Sequence, residues 1–338
     1  MSLSKEKSTT VRAADPTDDA RITRLRRLFG LLEATAPQLG SRLAWRLWAT
    51  PTRPSAKHVA RSREGGMGEV RRVGVELPDW TGRRPMGRDG SAKSPQTTEI
   101  VVELLGPADG PLIYLLHGWS GWRGQLAPIG RRLAEDGYRV VLVDAPNHGD
   151  SGQGALGPKQ SLLPDFSLAL DGVIREFGPA HAVVGHSLGA ACTATVLLDG
   201  ATARRAVFIA PPIDPVAFTR ILAGMLGFGE RIRTRMVGIG ERRTGLRLAA
   251  LALPRRLRGG RRADLPPALI VHDTDDPVVP VASGRALAEA WPAARIVETR
   301  GLGHNKILRN DEVVELVVGF IEGMDTRQDC GVGGAVAS

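Results

Sequence analysis

The feature that most constrains this chain is the segment 183–190, a short apolar run that ends in the pattern G-x-S-x-G around Ser187. A serine at the tip of a strand-to-helix turn has strained backbone dihedral angles, so the residues two before and two after it must be small. Gly185 and Gly189 meet this requirement. Such a nucleophile elbow raises the serine hydroxyl above the sheet and leaves the amide of Leu188 at a helix start, where an oxyanion can bind. The pattern is short enough to occur by chance, so its meaning depends on the rest of the chain.

Length and composition are compatible with one large α/β domain with extensions or with two small domains. The chain has 338 residues, 42% of them hydrophobic, which is ordinary for a globular protein. Cys192 and Cys330 give neither a disulfide framework nor a metal-ligand spacing, which favours a reducing compartment. We find no apolar run near the roughly 20 residues that span a bilayer, and the first ten residues lack a signal-peptide core. We therefore expect a cytoplasmic protein.

The charge distribution separates an acidic body from two basic segments. The formal net charge is +9, and because no RNA-binding signature or helix-turn-helix accompanies it, we expect no nucleic-acid partner. Residues 1–63 carry 13 basic and 5 acidic side chains, and residues 211–262 carry 12 and 3, so the remainder has a net charge of −8. The two basic segments therefore resemble additions to the body.

Strand-like and helix-like segments alternate through the body. This alternation predicts a parallel sheet with helices on both faces, preceded by an antiparallel pair. We predict antiparallel strands over 70–77 and 98–105, then parallel strands over 112–116, 140–144, 181–185, 206–209, 269–272 and 295–299. We predict helices over 125–136, 162–177, 188–198, 282–290 and 311–322.

The two basic segments are predicted to be helical. Residues 18–48 have apolar spacing typical of two amphipathic helices broken at Pro37, with arginines on the other faces. These helices could dock on the body or contact an anionic membrane surface. The segment 211–262 interrupts the alternation at the carboxyl edge of the sheet, where it could form a lid. We divide the chain into an extension and linker (1–68), a core in two parts (69–210 and 263–325), the lid (211–262) and a disordered tail (326–338).

Two downstream motifs supply the partners that a nucleophilic serine needs. A serine hydroxyl requires a histidine to take its proton, and that histidine requires a carboxylate to fix its tautomer. Residues 269–280 form a strand that enters an acidic turn containing Asp273, Asp275 and Asp276. His304 follows the next strand in the pattern G-x-G-H. Serine, aspartate and histidine thus occur in that order, each just beyond a strand.

Over about residues 97–323 the chain resembles the α/β-hydrolase family. The resemblance rests on the elbow, the D-P-V-V-P turn, the G-x-G-H motif and the dipeptide His117-Gly118 after the third apolar strand. It implies an eight-stranded, mostly parallel sheet with helices on both faces. It also implies Ser187 as the nucleophile, His304 as the base and Asp276 as the acid, with Asp273 and Asp275 as solvated turn residues. The oxyanion donors it implies are the amides of Trp119 and Leu188.

The same resemblance places further side chains at the pocket. Trp119 and Trp122 are expected either to form a wall of an acyl pocket or to pack under the lid. His117 and His186 lie in motifs where the family carries a histidine that is not the base, and we include both as candidate pocket residues. Basic side chains of the lid either are solvated or attract an anionic substrate: Arg231, Arg233, Arg235, Arg242, Arg243 and Arg247.

These residues favour acyl chemistry without a metal or other cofactor. A serine nucleophile argues against the dehalogenases and epoxide hydrolases of this fold, which use a carboxylate. We therefore predict an esterase whose substrate is a small acyl ester. Alternatives are a thioesterase or acyltransferase with the same three residues, and a ligand-binding protein on a hydrolase scaffold.

Overall fold

The computed structural model describes residues 16–52, 60, 68–78, 96–259 and 264–324. Within these ranges eight strands form a single sheet in the order β1-β2-β4-β3-β5-β6-β7-β8. All eight overlap the strands predicted from the sequence. Their bounds are β1 (Glu69–Glu76), β2 (Thr97–Leu105), β3 (Leu112–Leu116), β4 (Arg139–Val143), β5 (Ala180–His186), β6 (Ala203–Ile209), β7 (Ala268–Asp273) and β8 (Ala294–Thr299).

The sheet is mostly parallel, as predicted. β1 pairs antiparallel with β2, and β2 pairs antiparallel with β4. All pairs from β4 through β8 are parallel. Parallel strands end at the same edge of a sheet, so the loops that follow β3, β5, β7 and β8 meet there.

Helices cover both faces because side chains along each strand alternate between two apolar clusters. In β3, for example, Tyr114 and Leu116 face one cluster and Ile113 and Leu115 face the other. The first face packs against α4 (Leu163–Phe177), α5 (Leu188–Leu198), α8 (Leu253–Gly259) and α9 (Val281–Ala290). The second face packs against α3 (Ala127–Glu135) and α11 (Asp311–Glu322). The short helix α10 (Gly303–Lys306) carries His304.

Both basic segments are helical where they are described, and they pack on each other. The extension forms α1 (Pro16–Thr35) and α2 (Pro37–Ala49), and the segment after β6 contains α6 (Pro215–Leu226), α7 (Glu230–Thr244) and α8. A third apolar cluster joins α1 and α2 to α6 and α7 through Phe29, Trp45, Phe228, Ile232 and Met236. The proposed linker lies mostly, and the proposed tail entirely, outside the described residues. No helix among those described has the length and apolar character to cross a bilayer.

Candidate active site

Ser187 occupies the turn that was predicted to be a nucleophile elbow. It lies between the end of β5 and the start of α5, with φ 51° and ψ −125°. This conformation is costly for a residue with a side chain and is found where a fold constrains the backbone strongly. A Cβ atom on Gly185 would approach Ala190 Cα to 2.5 Å, and one on Gly189 would collide with the carbonyl oxygens of Leu116 and His117. The two glycines are therefore required by close backbone contacts.

Ser187, His304 and Asp276 form a continuous hydrogen-bonded chain. His304 Nε2 lies 2.9 Å from Ser187 Oγ, and His304 Nδ1 lies 2.7 Å from Asp276 Oδ2. The serine is 8% exposed, the histidine side chain 9% and the Asp276 side chain 0%, so the chain is closed to solvent at its carboxylate end. With Nδ1 donating to the carboxylate, Nε2 is left as the acceptor for the serine proton.

Asp276 is held as an anion by its surroundings. Its Oδ1 accepts hydrogen bonds from the amides of Val278 (2.7 Å) and Val279 (3.0 Å), while Oδ2 faces His304. Burial favours the neutral carboxyl, but the bonds from His304 and the two amides outweigh it, so the pKa of Asp276 lies below its ordinary value. An ionised carboxylate is what fixes the tautomer of the neighbouring imidazole.

Asp273 is not the solvated turn residue that the sequence suggested. Its side chain is fully buried, whereas Asp275 is exposed as expected. Asp273 Oδ2 accepts hydrogen bonds from Thr299 Oγ1 (2.8 Å) and from the amide of Leu302 (3.0 Å). The carboxylate therefore joins the turn that carries Asp276 to the loop that precedes His304.

The loop after β3 lies directly against the elbow. A Cβ atom on Gly118 would come within 2.8 Å of Ser187 Cβ, which places the next amide, that of Trp119, beside the serine. Leu188 is the first residue of α5, so its amide lies among the unpaired donors of a helix start. Among the turns, loops and helix ends that the structure describes, neither amide donates a hydrogen bond to a backbone carbonyl. Two free donors beside a serine suit an oxyanion.

Buried polar contacts that the sequence analysis did not anticipate hold this loop in place. Ser120 N donates to His148 Nε2 (3.1 Å), and Ala145 N donates to His117 Nε2 (3.1 Å). The Arg123 side chain, 2% exposed, forms ion pairs with Asp144, Asp150 and Glu103. Arg123 gave no sequence signal, because an arginine is rarely buried.

A cavity of about 220 Å³ opens beside Ser187, and it revises the candidate pocket residues. Trp119 and Leu188 line it, whereas His117, Trp122 and His186 do not. His117 is fully buried beneath the loop, and Trp122 packs against the Arg123 guanidinium. His186 lies behind the base, where its Nε2 donates to the carbonyl oxygen of His304 (2.9 Å). The three side chains support the site from below and do not face the cavity.

Five of the six candidate lid arginines have partners within the protein. Arg233 pairs with Glu230, Arg247 pairs with Glu241, and Arg243 donates to Gln160. Arg231 and Arg235 each donate to a backbone carbonyl. None of these side chains lines the cavity, so attraction of an anionic substrate stays a prediction. Among the described residues, no cluster of His, Cys, Asp or Glu is arranged to hold a metal ion.

The buried histidines predict a loss of stability in mild acid. Burial lowers the pKa of His117 to about 4 and the pKa values of His148 and His186 to about 3, whereas histidine in an unfolded chain titrates near 6.5. Unfolding between about pH 4 and pH 6.5 therefore takes up protons, so the free energy of unfolding falls as the pH falls. Burial raises the pKa of Asp165 to about 6, so this carboxyl releases its proton on unfolding and offsets one of the protons taken up. We expect these four groups together to contribute a slope of about 3 kcal/mol per pH unit near pH 5.

Urea unfolding at pH 5 and at pH 7.5 measures this slope. The folded pKa values lie below the unfolded one, so the contribution is complete above about pH 6.5 and is lost toward pH 4. Equal free energies of unfolding at the two pH values would show that these histidines are not held neutral.

The strand order and the serine turn between β5 and α5 are typical of the α/β-hydrolase fold. The family model described as "Alpha/beta hydrolase family" matches residues 113–316, more than half of the chain. The chain therefore belongs to the alpha/beta hydrolase family.

Individual relatives match shorter stretches. The pimeloyl-[acyl-carrier protein] methyl ester esterase of Nitrosospira multiformis is 37% identical over 94 residues, which are 27% of this chain and 33% of that protein. Epoxide hydrolase B of Mycobacterium tuberculosis is 37% identical over 86 residues, 24% of this chain and 23% of that protein. This chain thus spans a third or less of the length of these curated relatives.

A solved structure agrees with the fold over a longer range. A thermophilic esterase from Thermogutta terrifontis superposes with a TM-score of 0.51 at 17% identity, covering 76% of this chain and 100% of that one. At this level of identity the likeness concerns the fold alone.

Proposed function

We propose that the chain is a serine esterase that hydrolyses carboxylic esters through an acyl-enzyme. The observation that carries the proposal is the hydrogen-bonded chain from Ser187 Oγ through His304 to Asp276, at 2.9 and 2.7 Å. These distances lie within the range that a nucleophile, its base and the orienting group need. The family membership and the methyl ester esterase among the relatives support the same chemistry.

In the proposed reaction Ser187 Oγ attacks the ester carbonyl carbon while its proton passes to His304 Nε2. The carbonyl oxygen becomes an oxyanion, which the amides of Trp119 and Leu188 hold. Asp276 stabilises the imidazolium that forms on His304. When the tetrahedral intermediate collapses, the alkoxide leaves and takes the proton from His304, and the acyl group remains on Ser187. Water, deprotonated by His304, then releases the acid and restores the serine.

Epoxide hydrolysis is a second candidate reaction, because an epoxide hydrolase is among the relatives. The serine at the elbow argues against this reaction. A carboxylate nucleophile would have to stand at the elbow, where this chain has Ser187. Asp276 cannot replace it, because both of its oxygens already face His304 and two amides. We therefore propose ester hydrolysis, in which the acyl group passes from Ser187 to water.

Turnover of matched ester and thioester substrates tests the proposal. We expect saturable hydrolysis of p-nitrophenyl esters, with slower turnover of acyl-CoA thioesters of the same acyl group. Faster thioester turnover would favour a thioesterase, and transfer of the acyl group to an added alcohol in preference to water would favour an acyltransferase. Absence of turnover for both substrates would contradict acyl chemistry. The lid role of the segment after β6 and a cytoplasmic location belong to the same proposal.

A further inference from the structure

The N-terminal extension reaches the candidate active site. Three side chains of α2 line the cavity beside Ser187, namely Trp45, Leu47 and Trp48. A neighbouring part of the lining comes from α6 and α7, which contribute Phe218 and Met236 among others. The cavity is therefore enclosed by the body below and by two helical segments that lie about 170 residues apart in the chain.

Charged side chains of α1 fix this extension onto the lid. Glu33 accepts hydrogen bonds from the amides of Gly229, Arg231 and Ile232 at the start of α7, at 3.0 to 3.1 Å. Arg26 donates to the carbonyl oxygens of Gly224 and Met225 at the end of α6, at 3.0 and 3.2 Å. An anion at a helix start and a cation at a helix end both complement the helix dipole. Helix α1 therefore caps two lid helices at once.

Aromatic contacts complete the junction. The Phe29 ring lies 5.0 Å from that of Phe228, and the Trp48 ring lies 6.1 Å from that of Phe218, centroid to centroid. Phe29 is fully buried. Because the same contacts hold the extension and the lid together, the position of the α2 wall is fixed relative to the cavity.

The cavity suits an apolar occupant. The lid contributes three polar side chains to the lining of the cavity. Thr219 donates to the carbonyl oxygen of Val216, and Thr244 donates to that of Gly240. Glu241 accepts a hydrogen bond from the amide of Leu248. These groups have protein partners and need none from a ligand. The volume of about 220 Å³ is below the roughly 300–1,000 Å³ of sites for drug-sized ligands, so one unbranched chain fits better than a bulky group.

We infer that α2 forms one wall of the acyl pocket, that the substrates are esters of a linear apolar acid, and that Trp48 limits the length of the acyl chain. This inference rests on the proposed esterase function. It assigns a role in substrate selection to α2, which lies outside the residues 113–316 that the family model matches.

A series of p-nitrophenyl esters from acetate to dodecanoate tests the inference. While added methylenes still enter the cavity, kcat/KM is expected to rise about fourfold per methylene, which corresponds to about 0.8 kcal/mol at 1.4 kcal/mol per tenfold. The rise stops where the cavity is full. Trp48→Ala is expected to move that limit to longer chains, and Leu47→Trp is expected to move it to shorter ones. Leu39→Ala is the matched control, because Leu39 lies on the same helix, is 57% exposed and does not line the cavity.

Leu47→Trp keeps the test decisive if Trp48→Ala does not fold, since Leu47 is 37% exposed and tolerates a larger side chain. A flat profile in the wild type, or a limit that neither variant moves, would overturn the inference while leaving esterase activity intact. Binding supplies a separate readout: fluorescent fatty acid should quench tryptophan emission in Ser187→Ala, with weaker affinity after Leu47→Trp is added. If fatty acid binds in this way and no ester is hydrolysed, the esterase proposal fails and the pocket stands.

Discussion

Replacing Ser187 by alanine is expected to lower kcat for ester hydrolysis by about 10⁶, as in enzymes that lose the nucleophile of such a triad. Without Oγ no acyl-enzyme can form, and His304 Nε2 loses the group 2.9 Å away whose proton it would accept. The fold should survive, since alanine retains the Cβ atom and the strained backbone is set by the surrounding contacts. Steady-state kinetics and circular dichroism measure the two effects.

Ser167→Ala is the matched control for this change. Ser167 has the same exposure as Ser187, 8%, and its hydroxyl donates a long hydrogen bond, 3.4 Å, to the carbonyl oxygen of Leu163 within α4. We expect its kcat to stay within about threefold of the wild type, as for a change that removes no group from the reaction. A loss of the same size in both variants would contradict a specific chemical role for Ser187.

Asp276→Asn is expected to lower kcat by about 10⁴ with little change in the fold. The asparagine amide can donate to His304 Nδ1, which would then have to accept and would place the proton on Nε2. That tautomer cannot take the serine proton. The measurement is kcat in the plateau of the pH profile, together with the midpoint of thermal unfolding.

Substitutions of the two neighbouring aspartates test whether the effect of Asp276 comes from orienting His304 or from any negative charge in this turn. Asp275→Asn should leave kcat within about threefold, because the Asp275 side chain is exposed and lies 3.7 Å from Arg300. Asp273→Asn should lower stability, because the change puts an amide where the buried carboxylate accepts from Thr299 and Leu302. A greater loss of kcat in Asp275→Asn than in Asp276→Asn would show that Asp276 is not the acid of the triad.

The sequence was sufficient to predict the sheet. It also pointed to Ser187, His304 and Asp276, which lie within hydrogen-bond distance of one another, while their catalytic roles stay a prediction. Short apolar runs separated by amphipathic segments leave few alternatives to a parallel sheet, and the positions of Ser187 and His304 follow from glycine-flanked turns. Strand limits were less accurate. The strand predicted over 206–209 begins at Ala203, because Arg204 and Arg205 at its start hide the apolar pattern.

The environment of individual side chains could not be predicted in the same way. The buried carboxylate of Asp273 has partners 26 and 29 residues further on, which no local pattern reveals. The contact of Glu33 with α7 joins residues almost 200 positions apart, so the extension's place at the cavity was equally hidden. The same limitation of local patterns explains why His117 and His186 were predicted at the pocket, whose lining does not include them. His117 and His186 stand within recognisable motifs, yet their burial depends on how separate loops pack.

The most direct test of the central claim is labelling with a fluorophosphonate, which reacts with an activated serine, followed by peptide mapping by tandem mass spectrometry. We expect one adduct per wild-type molecule, located on Ser187, and no adduct on the Ser187→Ala variant. Slow labelling of Asp276→Asn would follow from the misplaced proton on His304. An adduct on a different residue, or labelling that persists in Ser187→Ala, would contradict the assignment of Ser187 as the nucleophile.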